Sequence, residues 1–327
     1  MRPGEGPKEP LPPALGFEDE RPGRQGAGEP IYVPAPCVGR FSMAAIGTTP
    51  LEGRVWIVTG ANSGIGKATA LGLAKLGGNV ILSCRDASKG EAAREEIVRE
   101  SRNARVTAMT VDLASQTSIS AFAEEINQDY KRLDALVNNA GVFTRQRKVT
   151  PDGLEQQFAV NYLGGFLLSH LLLDLLLASA PSRIVNVASS AHKSGTIDFD
   201  DLQGERKYRG YRAYSQSKLA QVLFTREFAR RLPGTGVTVN ACHPGIVKTN
   251  LGLAETPAVF RFVRMLFKSP AKGAETPIFL AASPKAASLT GQYFVNRQVK
   301  ALSKEAQDPD LARRLYDVSV RLAQLES

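Results

Sequence analysis

Cysteine is scarce in this chain: Cys37, Cys84 and Cys242 lie far apart, without a C-x-x-C pair or a His/Cys pair at metal spacing. That excludes a disulfide scaffold and a structural zinc site, and it points to a reducing compartment. The three histidines, His170, His192 and His243, share no ligand spacing, so no metal is expected. Long apolar runs are also missing. The most apolar stretch, 164–180, is interrupted by Ser169, His170 and Asp174, and it falls short of the ~20 residues that cross a bilayer. The first forty residues lack the apolar segment of a secretory signal. A cytoplasmic or otherwise intracellular setting is therefore expected, with 164–180 a helix packed on a sheet. The net charge is +9, yet the lysines and arginines are scattered and often sit beside acids, as in Arg94-Glu95-Glu96. No basic stripe or recognisable nucleic-acid module accompanies them, so no nucleic-acid partner is expected. Such a surface suits an anionic cofactor.

What is present begins irregularly. Residues 1–47 are rich in proline, glycine and charge, with no hydrophobic period of 2 or 3.6, and are expected to be a disordered tail. Met43 stands just before the first organised segment; translation starting there is a hypothesis that the intact mass of the native product tests. From 48 to 327 one domain is expected. Short apolar runs at 55–59, 80–84, 106–111, 135–138, 184–187, 237–242 and near Tyr293 alternate with helical patterns at 67–76, 89–100, 118–130, 154–177, 213–231 and 310–322. Strands that are apolar throughout and separated by amphipathic helices mark consecutive βαβ units. The expected fold class is α/β, a Rossmann-like doubly wound parallel sheet of about seven strands.

The first run ends in Thr59-Gly60-Ala61-Asn62-Ser63-Gly64-Ile65-Gly66, and a helix pattern starts at once. Glycines at a strand-to-helix turn let the backbone approach a pyrophosphate, with N–H groups and the positive helix end directed at it. Arg85 closes the second run, about where a dinucleotide's ribose lies, and a cation there pairs with a 2′-phosphate; Asp86 follows it. NADP(H) is thereby favoured over NAD(H). Tyr214 and Lys218 stand at i and i+4 on a helix, so phenol and ammonium share a face. A cation there would favour the phenolate and pull the phenol toward neutrality, which suits proton transfer to a carbonyl oxygen.

Taken together, T-G-x-x-x-G-x-G at 59–66, Asn138-Asn139-Ala140-Gly141, Tyr214-x-x-x-Lys218 and Pro244-Gly245-x-x-x-Thr249 resemble the short-chain dehydrogenase/reductase family over about 51–249. The resemblance implies a catalytic set of Tyr214, Lys218, Ser189 and Asn161, with Ser190 as the fallback for the carbonyl-polarising serine. It implies a dinucleotide site of Gly60, Asn62, Ser63, Gly64, Ile65, Gly66, Arg85, Asp112, Leu113, Asn139, Ala140, Gly141, Tyr214, Lys218, Pro244, Gly245, Val247 and Thr249, with Asp112 near the adenine.

The spacer between Ser189 and Tyr214, which stand 25 positions apart, the segment 197–202 and the segment 219–225 are similar to the retinol dehydrogenase group that includes retinol dehydrogenases 11 to 14. That likeness implies a small lipophilic carbonyl or alcohol as substrate. Residues 258–267, within a substrate lid expected near 250–270, read equally as a lid over an apolar pocket or a surface helix; peripheral membrane contact is a third reading. Pairing of two copies through 154–177 and 213–231 stays open. The resemblance implies an NADP(H)-dependent oxidoreductase that moves hydride between the nicotinamide and a lipophilic alcohol or carbonyl, such as retinol/retinal or a medium- to long-chain aldehyde. Two further functions stand beside it: a carbonyl reductase for steroids, quinones or xenobiotics, and a dinucleotide-binding regulator without chemistry. Retention of both Tyr214 and Lys218 favours an enzyme.

Overall fold

The computed structural model describes residues 51–245 and 269–325. The expected tail, Met43, the lid and membrane readings of 250–268, Val247 and Thr249 lie outside them. Strand β1 (Val55–Thr59) is buried at every position, as a strand covered on both faces must be. It leads into α1 (Gly64–Lys75), then β2 (Asn79–Cys84), α2 (Ala87–Ser101), β3 (Val106–Thr110), α3 (Gln116–Asp129) and β4 (Ala135–Asn138). After a single turn α4 (Gln156–Phe158) and a π-helical turn Ala159–Leu163 come α5 (Gly164–Leu171) and α6 (Leu173–Ala178). The chain continues through β5 (Ser182–Val187), a 3₁₀ turn Ser190–Ser194, α7 (Gly210–Arg231) and β6 (Val237–His243). It closes with α8 (Pro270–Ala282), β7 (Tyr293–Val295), β8 (Gln298–Val299), α9 (Lys304–Gln307) and α10 (Pro309–Leu322).

The strands lie in the order β3-β2-β1-β4-β5-β6-β7-β8. β1 to β7 run parallel and β8 returns antiparallel on β7. This is the doubly wound α/β sheet, in which chain order reverses between β1 and β4 and opens a crevice at the strands' C-terminal ends. Two apolar layers flank it. One packs Leu73 of α1, Ile97 of α2 and Ile278 of α8 on Val58 and Leu82; the other packs Phe122, Phe166, Leu223 and Leu315 on Ile57 and Ile184.

Four elements differ from the sequence reading, the short α9 among them. The single helix expected over 154–177 is four pieces: the π-helical turn adds a residue at 159–163, and Leu172 breaks α5 from α6. Helix α8 carries Pro277 inside it, a residue that disguises a helix in any pattern reading. The eighth strand follows a tight turn in which Asn296 and Arg297 both take positive φ, the geometry of a two-residue hairpin loop.

Helix α10 covers the aromatic face shared by α5 and α7. Tyr316 hydrogen-bonds His170 through its hydroxyl (2.7 Å), and Ser319 meets Tyr162 (2.7 Å). The Arg231 guanidinium lies 3.8 Å from the Tyr316 ring centroid. The face that Phe166 of α5 and Phe224 of α7 share with Tyr162 of the π-helical turn is therefore packed by the chain's own last helix.

Candidate active site

The site starts where β1 ends. Thr59 Oγ1 accepts hydrogen bonds from the backbone N–H of Asn139 and Ala140, both 2.9 Å, and Asn139 Nδ2 donates to Thr59 O (2.8 Å). These bonds fasten the turn after β1 to the turn after β4 across the point where strand order reverses. Little room remains between them. A Cβ at Gly60, whose φ is +64°, would lie 2.9 Å from Ala140 Cα, and one at Gly66 would collide with Gly60 O and Asn139 Nδ2. Ser63 stands at the N-cap of α1 without a side-chain cap bond, so the first-turn N–H groups and the positive helix end face the crevice. Behind the loop, the buried Cys84 thiol takes hydrogen bonds from the Ala61 and Asn62 backbone, and burial pushes it up to about 11.

A single cleft of about 880 Å³ is lined by Gly60, Asn62, Ser63, Gly64, Ile65 and Gly66, and further along by Arg85, Asp112 and Leu113. Asn139, Ala140 and Gly141, then Ser189, Ser190, Tyr214 and Lys218, and finally Pro244 and Gly245 line it too. The structure thus brings together every site residue expected from the sequence except Asn161, which lies beneath the wall, and Val247 and Thr249, which fall outside the described residues. The crowding at Gly60 and Gly66 leaves bare backbone toward the cleft, and a donor set of main-chain N–H groups is chemically matched to a pyrophosphate. The residues therefore fit a dinucleotide.

At the outer end Arg85 is exposed and makes no ion pair among the described residues. The adjacent acid is engaged elsewhere. Asp86 caps α2 by accepting from Lys89 N (3.0 Å) and pairs with the Lys89 ammonium (2.8 Å), which holds its carboxyl below the usual range.

At the inner end helix α7 begins at Gly210, where any side chain would strike Thr144 O. That contact sets the helix against the segment after β4, and Tyr214 follows one turn later. The phenol faces the Ser189 side chain, which favours its ionised form, and its ring meets Phe143 edge-on at 5.8 Å. Ser189 is half-buried and caps the 3₁₀ turn by accepting from Ala191 N (3.2 Å), whereas Ser190 is exposed. Lys218 is 4% exposed; its ammonium donates to Val187 O (3.1 Å) and Gln221 Oε1 (2.8 Å). Asn161 Nδ2 donates to Val142 O and Ser217 Oγ, both 3.0 Å, and its Oδ1 accepts from Val142 N (2.6 Å). It thus ties the wall after β4 to the helix that carries Tyr214 and Lys218.

The expected electrostatic coupling is corrected here. Burial pushes the Tyr214 phenol up, against the lowering effect of Ser189, and it pushes the Lys218 ammonium down to about 7. The ammonium lies 5.7 Å from the phenol's ring centroid, and desolvation of both groups outweighs their attraction. Sequence reasoning also missed lining residues, among them Val142, Phe143 and Thr144, which directly follow Asn-Asn-Ala-Gly and were within reach of the motif. Gln221 and Lys89 had no such signal.

Fold and site define a nucleotide-binding oxidoreductase of the doubly wound class. A family model described as short chain dehydrogenase matches residues 54–258, and the chain belongs to that family. It is 50% identical over 286 residues to retinol dehydrogenase 13 of Homo sapiens, spanning 85% of this chain and 86% of that relative. Two solved structures share the fold. RhlG of Pseudomonas aeruginosa in an active-site complex with NADP is 28% identical at TM-score 0.60, covering 75% of this chain and 94% of that one. A 3-ketoacyl-(acyl-carrier-protein) reductase from Brucella melitensis complexed with NADH is 27% identical at TM-score 0.60, covering 75% and 96%.

The lysine makes a sign-definite prediction. Its folded value of about 7 lies below its ordinary 10.5, so the unfolded chain holds this proton across a range in which the folded chain has lost it. Stability from this group is complete above pH 10.5 and is lost as pH falls through about 7. Urea unfolding of the wild type and Lys218→Met is expected to show the methionine variant's advantage greatest below pH 7 and shrinking toward 10.5. An advantage that does not vary with pH contradicts the assignment.

Proposed function

We propose that this chain is an NADP(H)-dependent oxidoreductase that moves hydride between the nicotinamide and a lipophilic alcohol or carbonyl, such as retinol/retinal or a medium- to long-chain aldehyde. The observation that carries the reading is the convergence of Tyr214, Ser189 and Lys218 on the same cleft as the glycine turn at 60–66. When bound, the dinucleotide supplies or accepts the hydride. Reduction of a carbonyl leaves negative charge on oxygen, which a proton donor and a second hydrogen-bond donor must meet. Burial keeps the Tyr214 phenol protonated, the state needed to give up its proton. Ser189, on the same cleft wall beside that phenol, would share the substrate oxygen with it. Lys218 adds positive charge beside the developing phenolate, and Asn161 holds the wall and the catalytic helix in register.

Gly60, Asn62, Ser63, Gly64, Ile65 and Gly66 would hold the phosphates, Asp112 and Leu113 the adenine side, and Asn139, Ala140 and Gly141 the floor between. Pro244 and Gly245, continuing to Val247 and Thr249, would close the nicotinamide end. NADP(H) is favoured because Arg85 offers an uncommitted cation and Asp86 is engaged by α2 and Lys89. For the substrate, the apolar lining of Val142, Phe143 and Val160 and the likeness to a retinol dehydrogenase support a lipophilic carbonyl. Reduction of steroids or quinones is the second reading, favoured by the same lining.

Tyr214→Phe is expected to keep NADPH binding within about threefold while turnover falls roughly 10²–10⁴-fold. Fluorescence titration and NADPH oxidation with retinal, medium-chain aldehydes, steroids and quinones measure the two quantities, and near-normal turnover refutes the role. Arg85→Asp is expected to move coenzyme preference from NADPH toward NADH. An unchanged ratio of kcat/KM for the two coenzymes places the 2′-phosphate elsewhere.

A further inference from the structure

Beneath the cleft runs a line of buried polar side chains that ends at the Lys218 ammonium. Asn138 Nδ2 on β4 donates to Ser169 Oγ on α5 (3.1 Å) and to Asn186 Oδ1 on β5 (3.0 Å). Asn186 Nδ2 donates to Thr225 Oγ1 on α7 (2.9 Å), and that hydroxyl donates to Gln221 O (2.8 Å). Gln221 Oε1 then accepts from the Lys218 ammonium (2.8 Å). An ammonium only donates, so the amide atom facing it must be the oxygen. All of these side chains are buried.

We infer that Gln221 is a positioning residue: its side-chain oxygen, projecting from a turn of α7 whose backbone Thr225 and Asn186 tie to the central strands, holds the Lys218 ammonium against Val187 O and fixes where that charge stands in the cleft. The inference rests on the reading of Lys218 as part of the active site. The reasoning is one of supply and demand for hydrogen bonds. A buried ammonium needs acceptors, and the structure gives it two, Val187 O on β5 and Gln221 Oε1 one helical turn along. Without the second, a flexible four-carbon stem in a dry site has a single tether. The titratable groups that face this ammonium are Tyr214 on its own helix and Cys242 on β6. The Cys242 thiol is pushed up to about 12 by burial and the Tyr214 phenol is raised, so neither ionises appreciably from about pH 6 to 9. Any change in that window when Gln221 is altered belongs to the lysine.

The test combines stability with turnover in wild type, Gln221→Leu, Lys218→Met and the double variant. Leucine keeps bulk and removes the acceptor. Urea unfolding is expected to show that Gln221→Leu costs more at about pH 6, where Lys218 is charged, than at about pH 9, and that the cost largely disappears in the Lys218→Met background. Turnover of retinal with NADPH is expected to fall roughly tenfold or more in Gln221→Leu, the size of a lost charge-assisted hydrogen bond, with NADPH affinity within about threefold. Gln221→Glu, which restores an acceptor, is expected to shift the kcat/KM pH profile in the direction opposite to Gln221→Leu. An equal stability cost at both pH values and in both backgrounds makes Gln221 a packing residue and overturns the inference. Normal turnover of Gln221→Leu beside an inactive Lys218→Met also overturns it. Normal turnover of Lys218→Met overturns instead the reading of the site, and the stability cycle then decides the pairing alone.

Discussion

The molecule depends on one clamp, the bonds from Thr59 to Asn139 and Ala140 that join the ends of β1 and β4 where strand order reverses. In a doubly wound sheet the flanking helices part at that point and leave a crevice. The clamp closes the crevice's floor and presses Gly60 onto Ala140, and Gly66 onto Asn139, so closely that only glycine fits. Backbone N–H groups and the start of α1 are left facing outward. From the same floor the chain runs on to Val142, whose backbone is held by Asn161, and Asn161 in turn holds Ser217 on α7. One continuous set of hydrogen bonds thus relates the phosphate end to the chemical end.

Burial decides the chemistry at that second end. Tyr214 and Lys218 are withdrawn from water, and each is pushed toward its neutral form. A neutral phenol is a proton donor in waiting, and a lysine near 7 is poised to respond to added charge. Arg85 at the other end is exposed, so the cleft grades from a wet, cationic mouth to a dry interior. That gradient suits a ligand with phosphate at one end and an uncharged reacting ring at the other.

The sheet was largely legible in the sequence because its inner strands are buried on both faces and read as mostly apolar runs, while β3 at the edge is partly exposed. The glycine turn, Asn139 to Gly141, Ser189 and the Tyr214/Lys218 pair were legible for a different reason: each lies at a strand end or one helix turn, where local spacing carries the geometry. What escaped is non-local. The run 154–177 reads as one continuous helical pattern, and nothing in it marks the π-helical turn that aims Asn161 at Val142. Pro277 hid α8, and β8 is only two residues long. Gln221, Thr225 and Asn186 look like ordinary helix and strand residues until folding stacks them under Lys218. The sign of the Tyr214 shift was misjudged because spacing reports the cation and says nothing of the desolvation.

Isotope tracing addresses the central claim most directly. NADPH carrying deuterium at the transferable nicotinamide position would be incubated with the wild-type chain and retinal, and the product examined by mass spectrometry. One deuterium at the new carbinol carbon is the predicted result. Retinol formed without the label, or firm NADPH binding with no transfer to retinal or to any aldehyde, steroid or quinone tried, contradicts it.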